Sequence, residues 1–355
     1  MSRRPSPSFA ARRTLVATLV VCMGAAAWAG PAAAQSATTS TSTDATSTSA
    51  APAQKLQWKA CAHKLECTTL TVPADYSQPD GAQVKVAVSR SKATDPSKRL
   101  GSLVFNFGGP GDAGSTTLPD FVGYIPKEIR DRYDLVSFDP RGVGKSKPVV
   151  CIDGATSDAL NAQDPTPNSD TDLQKFYDGT NEIVDFTAAC VAKNGAWLGQ
   201  LGSRNVARDL DRLRAALGDK KLHYLGYSYG TVIGSVYAQM FPQQVGHMVL
   251  DSPVDLSADA LQQLRGDAAG FETALEEFLA NCADDTKCAF HSSGATTTAF
   301  KELQQKFENG LQLPTDAPRS SSGPSTRKAG VGAFYTAVLS ALYDKQYGWP
   351  DLAQA

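Results

Sequence analysis

The run "KLHYLGYSYGTVIGSVYAQMFP", Lys221 to Pro242, constrains this chain more than any other stretch. "LHYLGY" reads as a strand and "YGTVIGSVYAQMFP" as the helix that follows directly. Between them Ser228 lies in the pattern Gly226-x-Ser228-x-Gly230. A strand that passes into a helix through so tight a turn strains the backbone at the serine. Glycines two before and two after leave room for it. Ser228 then stands at the carboxyl edge of a sheet. The backbone N–H of Tyr229, at the helix N-terminus, faces any negative charge that develops there. The functional reading is a nucleophile elbow, and the bland one is a serine in a tight strand–helix turn.

The surrounding pattern supplies a fold for that turn. "CTTLTVPADY" (67–76) and "AQVKVAVSRSKA" (82–93) alternate apolar and polar residues around the turn-forming "YSQPDG", as an antiparallel hairpin does. "LVFNF" (103–107) and "DLVSFD" (134–139) are continuous apolar runs of buried strands. A helix is expected over 118–132. A loop rich in Asp, Pro and Asn after Cys151 leads into a segment of helical period. "NVARDLDRLRAALG" (205–218) places Val206, Leu210, Leu213 and Leu217 on one helix face and stops at Gly218. "HMVLDS" (247–252) is the sixth strand. After Asp259 the chain reads as helix and loop, with a Ser/Pro/Gly loop at 313–326 and no further strand. Strands alternating with helices give an α/β class with a mostly parallel sheet and helices on both faces. Functional groups then gather at the carboxyl ends of the strands.

Two further loops end strands at that edge. "FGGPG" (107–111) allows close backbone approach to a carbonyl, and Gly109 N–H is expected as a second oxyanion donor opposite Tyr229, with Gly108 beside it. The bland reading is a plain glycine turn, and a phosphate loop is a weak one because no Lys-Ser/Thr closes the motif. In "FDPRGVGKS" (138–146), Asp139 and Arg141 are expected to brace the loop rather than to react. No CxxC and no His-x3-His occurs, so neither metal nor other cofactor is expected. The formal charge of −2 implies no nucleic-acid partner.

Residues 1–34 read as a cleaved signal peptide: Arg3, Arg4, Arg12 and Arg13, an apolar stretch from Leu15 to Trp28, then Ala32-x-Ala34 before Gln35. Cleavage near Ala34 leaves a net charge of −6 and places the protein outside the membrane, secreted or periplasmic. Residues 35–54, almost entirely Ser, Thr, Ala and Asp, read as a flexible linker. Six cysteines follow Cys22 in the chain. Short loops favour Cys61–Cys67 and Cys282–Cys288, which leaves Cys151–Cys190.

"VPADYSQPDG", "FNFGGPGDAGS", "VSFDPRGVGKS" and "LGYSYGTVIGSVYAQMFP", in this order, resemble the secreted tripeptidyl-aminopeptidase branch of the α/β-hydrolases, a branch related to the prolyl aminopeptidases. The resemblance runs from about Trp58 to Cys288. It implies an α/β-hydrolase fold with a helical cap, 55–256 forming the core and 257–355 the cap segment. It also implies a serine exopeptidase that takes short peptides from free N-termini, and a monomer is expected. By the resemblance Ser228 matches the nucleophile, and Gly109 and Tyr229 match the oxyanion donors. An esterase or amidase on the same fold, or a non-catalytic binder derived from it, stays open.

The triad order Ser, acid, His along the chain is not completed. His247 opens the sixth strand, about 13 Å from its carboxyl end, and reads as structural. His223 lies about 16 Å back along the strand that leads to Ser228. His291 follows Cys288, and His63 sits in the Cys61–Cys67 loop. Asp251 closes the sixth strand without a histidine to orient. The expectation is therefore that the last two strands, the acid and the histidine lie beyond Ala355, that the cap is incomplete, and that the 355-residue chain is inactive or nearly so. "HMVLD" is then an exposed apolar sheet edge.

Overall fold

A computed structural model describes residues 53–161, 169–183, 185–291, 295–314 and 326–354. The expected signal peptide and nearly all of the expected linker lie outside the described residues. The chain divides into two compact units. Of the described residues, one comprises those up to Val149 together with Asn194–Ser257, and the other those of Val150–Lys193 and of Ala258–Ala355.

The first unit holds a seven-stranded sheet. Its strands are β1 (Lys59–Ala60), β2 (Glu66–Pro73), β3 (Gln83–Ser91), β4 (Gly101–Asn106), β5 (Tyr133–Phe138), β6 (Leu222–Tyr227) and β7 (Val245–Asp251). They lie in the order β1-β2-β3-β5-β4-β6-β7. The pairs β1/β2, β2/β3 and β3/β5 are antiparallel, and β4/β5, β4/β6 and β6/β7 are parallel. The sheet is thus mixed, which corrects the mostly parallel expectation. The predicted hairpin extends the sheet on one side, while strand–helix crossovers, which require parallel neighbours, build the other.

Helices α1 (Gly114–Phe121), α2 (Lys127–Arg130), α3 (Ser203–Leu217) and α4 (Tyr229–Met240) belong to this unit. The single helix expected over 118–132 is two, broken where Gly123 and Pro126 disfavour helical backbone. Helix α3 follows its pattern: Val206, Leu210 and Leu213 are buried, and Gly218 ends it at φ 83°, a left-handed cap that suits glycine. One face of the sheet buries Val72, Val86, Val104, Val136 and Tyr224 against α3 and against Ile233 and Tyr237 of α4. The other buries Phe105 and Leu135 against Leu118 and Ile125.

Strand β7 forms one edge of the sheet, and its Val249 is 58% exposed. Near the opposite end of β6 and β7 from Ser228, the His223 and His247 rings stack with centroids 5.0 Å apart and Nδ1 atoms at 3.2 Å. His247 N–H donates to His223 Nδ1 at 3.1 Å, so a neutral His223 is built into the strand pairing. Burial first, and then the neighbouring His247, lowers the His223 pKa, with Asp219 opposing. A base whose folded pKa is depressed binds more protons when unfolded, so stability rises with pH across that window. The thermal midpoint is therefore expected to fall as pH drops from about 7.5 to 5.5, through the unfolded histidine range near 6.5. His247→Asn should reduce that slope. An unchanged slope would show that the pair does not couple to folding.

The second unit is helical, with segments at Gly154–Asn161, Asp170–Ile183, Phe186–Asn194, Ala260–Asp284, Thr296–Glu308, Val331–Leu342 and Gly348–Leu352. Its core is aromatic: Phe278 meets Phe290 and Trp349 edge-on, and Phe300 packs on Phe290 and Phe334. The long helix starts with a capping box, in which Asp259 and Gln262 bond reciprocally. A hairpin of β8 (Leu311–Pro314) and β9 (Thr326–Ala329) stands where only loop was expected. These four-residue strands are too short to carry the run of β-branched, alternating residues that marks strands in sequence. The pairs Cys61–Cys67 and Cys282–Cys288, favoured by their short loops, and the remaining pair Cys151–Cys190 are all disulfide-bonded. No helix among the described residues is long and apolar enough to cross a membrane.

Candidate active site

Ser228 sits between the end of β6 and the start of α4 at φ 50°, ψ −122°. This is a strained conformation for a residue with a side chain. Backbone bonds hold it there. Ser228 N–H donates to the Asp251 carbonyl at 3.0 Å. The Ser228 carbonyl accepts from Thr231 N–H at 2.8 Å and from Thr231 Oγ1 at 2.6 Å. Thr231 Oγ1 in turn accepts from Val254 N–H at 3.0 Å.

The flanking glycines are required by close approach. A Cβ on Gly226 would lie 2.6 Å from the Gly230 carbonyl oxygen, and one on Gly230 would lie 2.5 Å from the Asn106 carbonyl oxygen. Tyr224, fully buried, donates its hydroxyl to the Gly230 carbonyl at 2.7 Å.

The glycine loop after β4 abuts this turn. Gly108 has φ +96°, and a Cβ there would fall 2.6 Å from Tyr227 O, 3.1 Å from Ser228 Cβ and 3.2 Å from Tyr229 N. Gly108 N–H donates to Asn106 Oδ1 at 3.1 Å, which fixes the loop's departure from the strand. Gly109 follows at φ +98°. Its N–H makes no backbone hydrogen bond among the described residues. Tyr229, the first residue of α4, is one of the helix-start positions whose N–H has no intrahelical acceptor. Two unsatisfied donors thus belong to the two loops that meet at Ser228.

Asp139 and Arg141 brace separate structures. Asp139, fully buried, accepts from Ser115 N–H at 2.8 Å and Lys145 N–H at 2.9 Å. Arg141 forms a bidentate pair with Asp209 on α3, both contacts at 2.7 Å, and donates to the carbonyls of Pro73, Ala74 and Gln200. Tyr76 hydroxyl adds a third bond to Asp209 at 2.7 Å.

No histidine of the sheet-bearing unit bonds Ser228, whose hydroxyl has no hydrogen-bond partner among the described residues. His223 and His247 are paired with each other, and His291 Nδ1 lies 3.2 Å from the Cys282 carbonyl. Three supports of the turn were not anticipated: Asn106, Thr231 and Tyr224. Only Asn106 left a trace, as the one polar residue inside the apolar run "LVFNF".

Residues 101–347 match the family model described as the alpha/beta hydrolase fold. The chain belongs to the α/β-hydrolase fold family. Among curated members of this hydrolase group it is 41% identical over 283 residues to the serine protease Hip1 of Mycobacterium tuberculosis, covering 78% of this chain and 52% of that protein. It is 39% identical over 216 residues to the tripeptidyl aminopeptidase of Streptomyces lividans, covering 58% and 40% respectively. It is 34% identical over 290 residues to a Mycobacterium tuberculosis hydrolase named carboxylesterase B, covering 79% and 52%. The chain spans about half the length of the curated relatives it matches.

Proposed function

We propose that this α/β-hydrolase chain carries the nucleophile and oxyanion elements of an exported serine peptidase that releases short peptides from free N-termini. The observation that supports this most is Ser228, held in a strained turn against the Gly108–Gly109 loop. In this reading the Ser228 hydroxyl attacks the peptide carbonyl. The N–H groups of Tyr229 and Gly109 take up the negative charge of the tetrahedral intermediate. Arg141 and Asp139 hold the loops and do not touch the substrate. The general base comes from outside the described residues. Relatives named serine protease and tripeptidyl aminopeptidase favour a peptide substrate. The N-terminal segment 1–34 favours export.

A second reading, an esterase of the same fold, is favoured by the relative named carboxylesterase B. One acyl-transfer apparatus serves both. The nucleophile assignment is tested by prolonged incubation with a fluorophosphonate and location of the adduct by mass spectrometry. Modification is expected at Ser228 ahead of every other serine. Adducts scattered over exposed serines, or unchanged in Ser228→Ala, would remove Ser228 from the role.

A further inference from the structure

The sheet edge beside Ser228 carries side chains that the acyl-transfer step leaves unused. Tyr227 on β6 and Asp251 on β7 are partners in parallel register. Paired positions of adjacent strands send their side chains to the same face. On that face the Tyr227 ring stacks on Phe107, with centroids 6.1 Å apart and planes 5° from parallel. Phe121 completes the group, 4.5 Å from Phe107 and 5.8 Å from Tyr227. All three rings are only partly buried. The Asp251 carboxylate at the end of this wall is exposed. Its hydrogen-bond partner is the Ser252 hydroxyl at 3.3 Å, and no Lys or Arg pairs with it among the described residues. Burial and then the Asp251 charge raise the Tyr227 pKa, so ring and carboxylate sit in one electrostatic environment.

An exposed aspartate at a strand end is ordinarily just solvated. Two features set Asp251 apart. Its carbonyl accepts the Ser228 N–H, so the backbone fixes its distance from the candidate nucleophile. It also borders a partly open aromatic wall whose members Phe107 and Tyr227 immediately precede Gly108 and Ser228. A carboxylate next to aromatic faces suits a primary ammonium, which gains a charge-assisted hydrogen bond from the one and a cation–π contact from the other. Strands lie about 4.8 Å apart and extended peptide rises about 3.3 Å per residue. The carboxylate is therefore within reach of the N-terminus of a one- to three-residue acyl segment bound at Ser228.

We propose that Asp251 and the wall of Tyr227, Phe107 and Phe121 form the subsite for the α-ammonium of the substrate peptide. Asp251 takes the charge, and the rings take the side chain of the N-terminal residue. The proposal rests on the reading of the chain as a hydrolase of free N-termini, and its test does not depend on turnover. Trialanine amide and N-acetyl-trialanine amide are titrated by calorimetry into the 355-residue chain. The wild type should bind the free amine about tenfold more tightly, a difference of ~1.4 kcal/mol. Asp251→Asn should bring it to the level of the acetylated peptide, and Asp251→Glu should restore part of the preference. Thermal melting checks that each variant folds, and Asp251→Ser replaces the Asn variant if that one does not.

A wild type indifferent to acetylation, or a preference that persists without the carboxylate, would overturn the subsite. Fluorophosphonate modification of Ser228 in the same samples separates the two claims. Modification without amine preference removes the subsite and keeps the hydrolase. Amine preference that depends on Asp251, with fluorophosphonate adducts scattered over exposed serines instead of at Ser228, does the reverse.

Discussion

Offered a tripeptidyl arylamide, the 355-residue chain is expected to turn over about a millionfold more slowly than a serine hydrolase with an intact triad, the loss that follows removal of the base alone. The Ser228 hydroxyl meets no base among the described residues. His223 and His247 are occupied with each other at the far end of their strands. What is left is the contribution of oxyanion donors and binding, roughly 10³–10⁴ over water. Members of a triad act as a unit, so Ser228→Ala should change this residual rate by less than about tenfold. Added imidazole should raise turnover in the wild type in proportion to its concentration, by acting as a base for Ser228, and should do nothing for Ser228→Ala. Fast turnover that Ser228→Ala abolishes would mean that a base is present and in reach.

The second large effect concerns stability. Asp209→Ala is expected to destabilise the sheet-bearing unit by about 3–5 kcal/mol, because it leaves a buried guanidinium without its carboxylate. The Arg141 side chain is 0% exposed and that of Asp209 2% exposed. Burial pushes the Asp209 carboxyl upward, while Arg141 and Tyr76 draw it back. Arg141→Ala should cost a similar amount, since it also frees the carbonyls of Pro73, Ala74 and Gln200. Replacing both, Arg141→Met with Asp209→Leu, should cost much less than the two alanine variants added together, because no buried charge is stranded. Urea unfolding midpoints measure all three. A loss under about 1 kcal/mol for Asp209→Ala would place the pair among the weak surface bridges instead.

The parts of the fold legible in sequence are those written in a local code. The strand–serine–helix turn, the 3.6-residue stripe of α3 with its glycine stop, and the short cysteine loops each involve neighbours in the chain. Contacts made at long range were not legible. Arg141 and Asp209 are 68 residues apart, and nothing near either names the other. The antiparallel half of the sheet is made by β1, β2 and β3, and β5 lies between β3 and β4 out of chain order, yet the strands themselves look alike in either arrangement. β1 has two residues, too few to carry a period. At the candidate site the serine and the glycines were found from their pattern. The Thr231 and Tyr224 bonds were not, because a threonine or a tyrosine in a helix or strand carries no sign that its hydroxyl is committed.

The support of Ser228 has a consequence for protein engineering. Its hydrogen bonds are made through its own main-chain N–H and carbonyl, to Asp251 and Thr231, and none restrains the side chain among the described residues. The turn is a socket that fixes where a reactive atom stands without specifying which atom it is. A thiol or a carboxylate grafted at this position would inherit the same placement, so different chemistries could be installed on one unchanged scaffold.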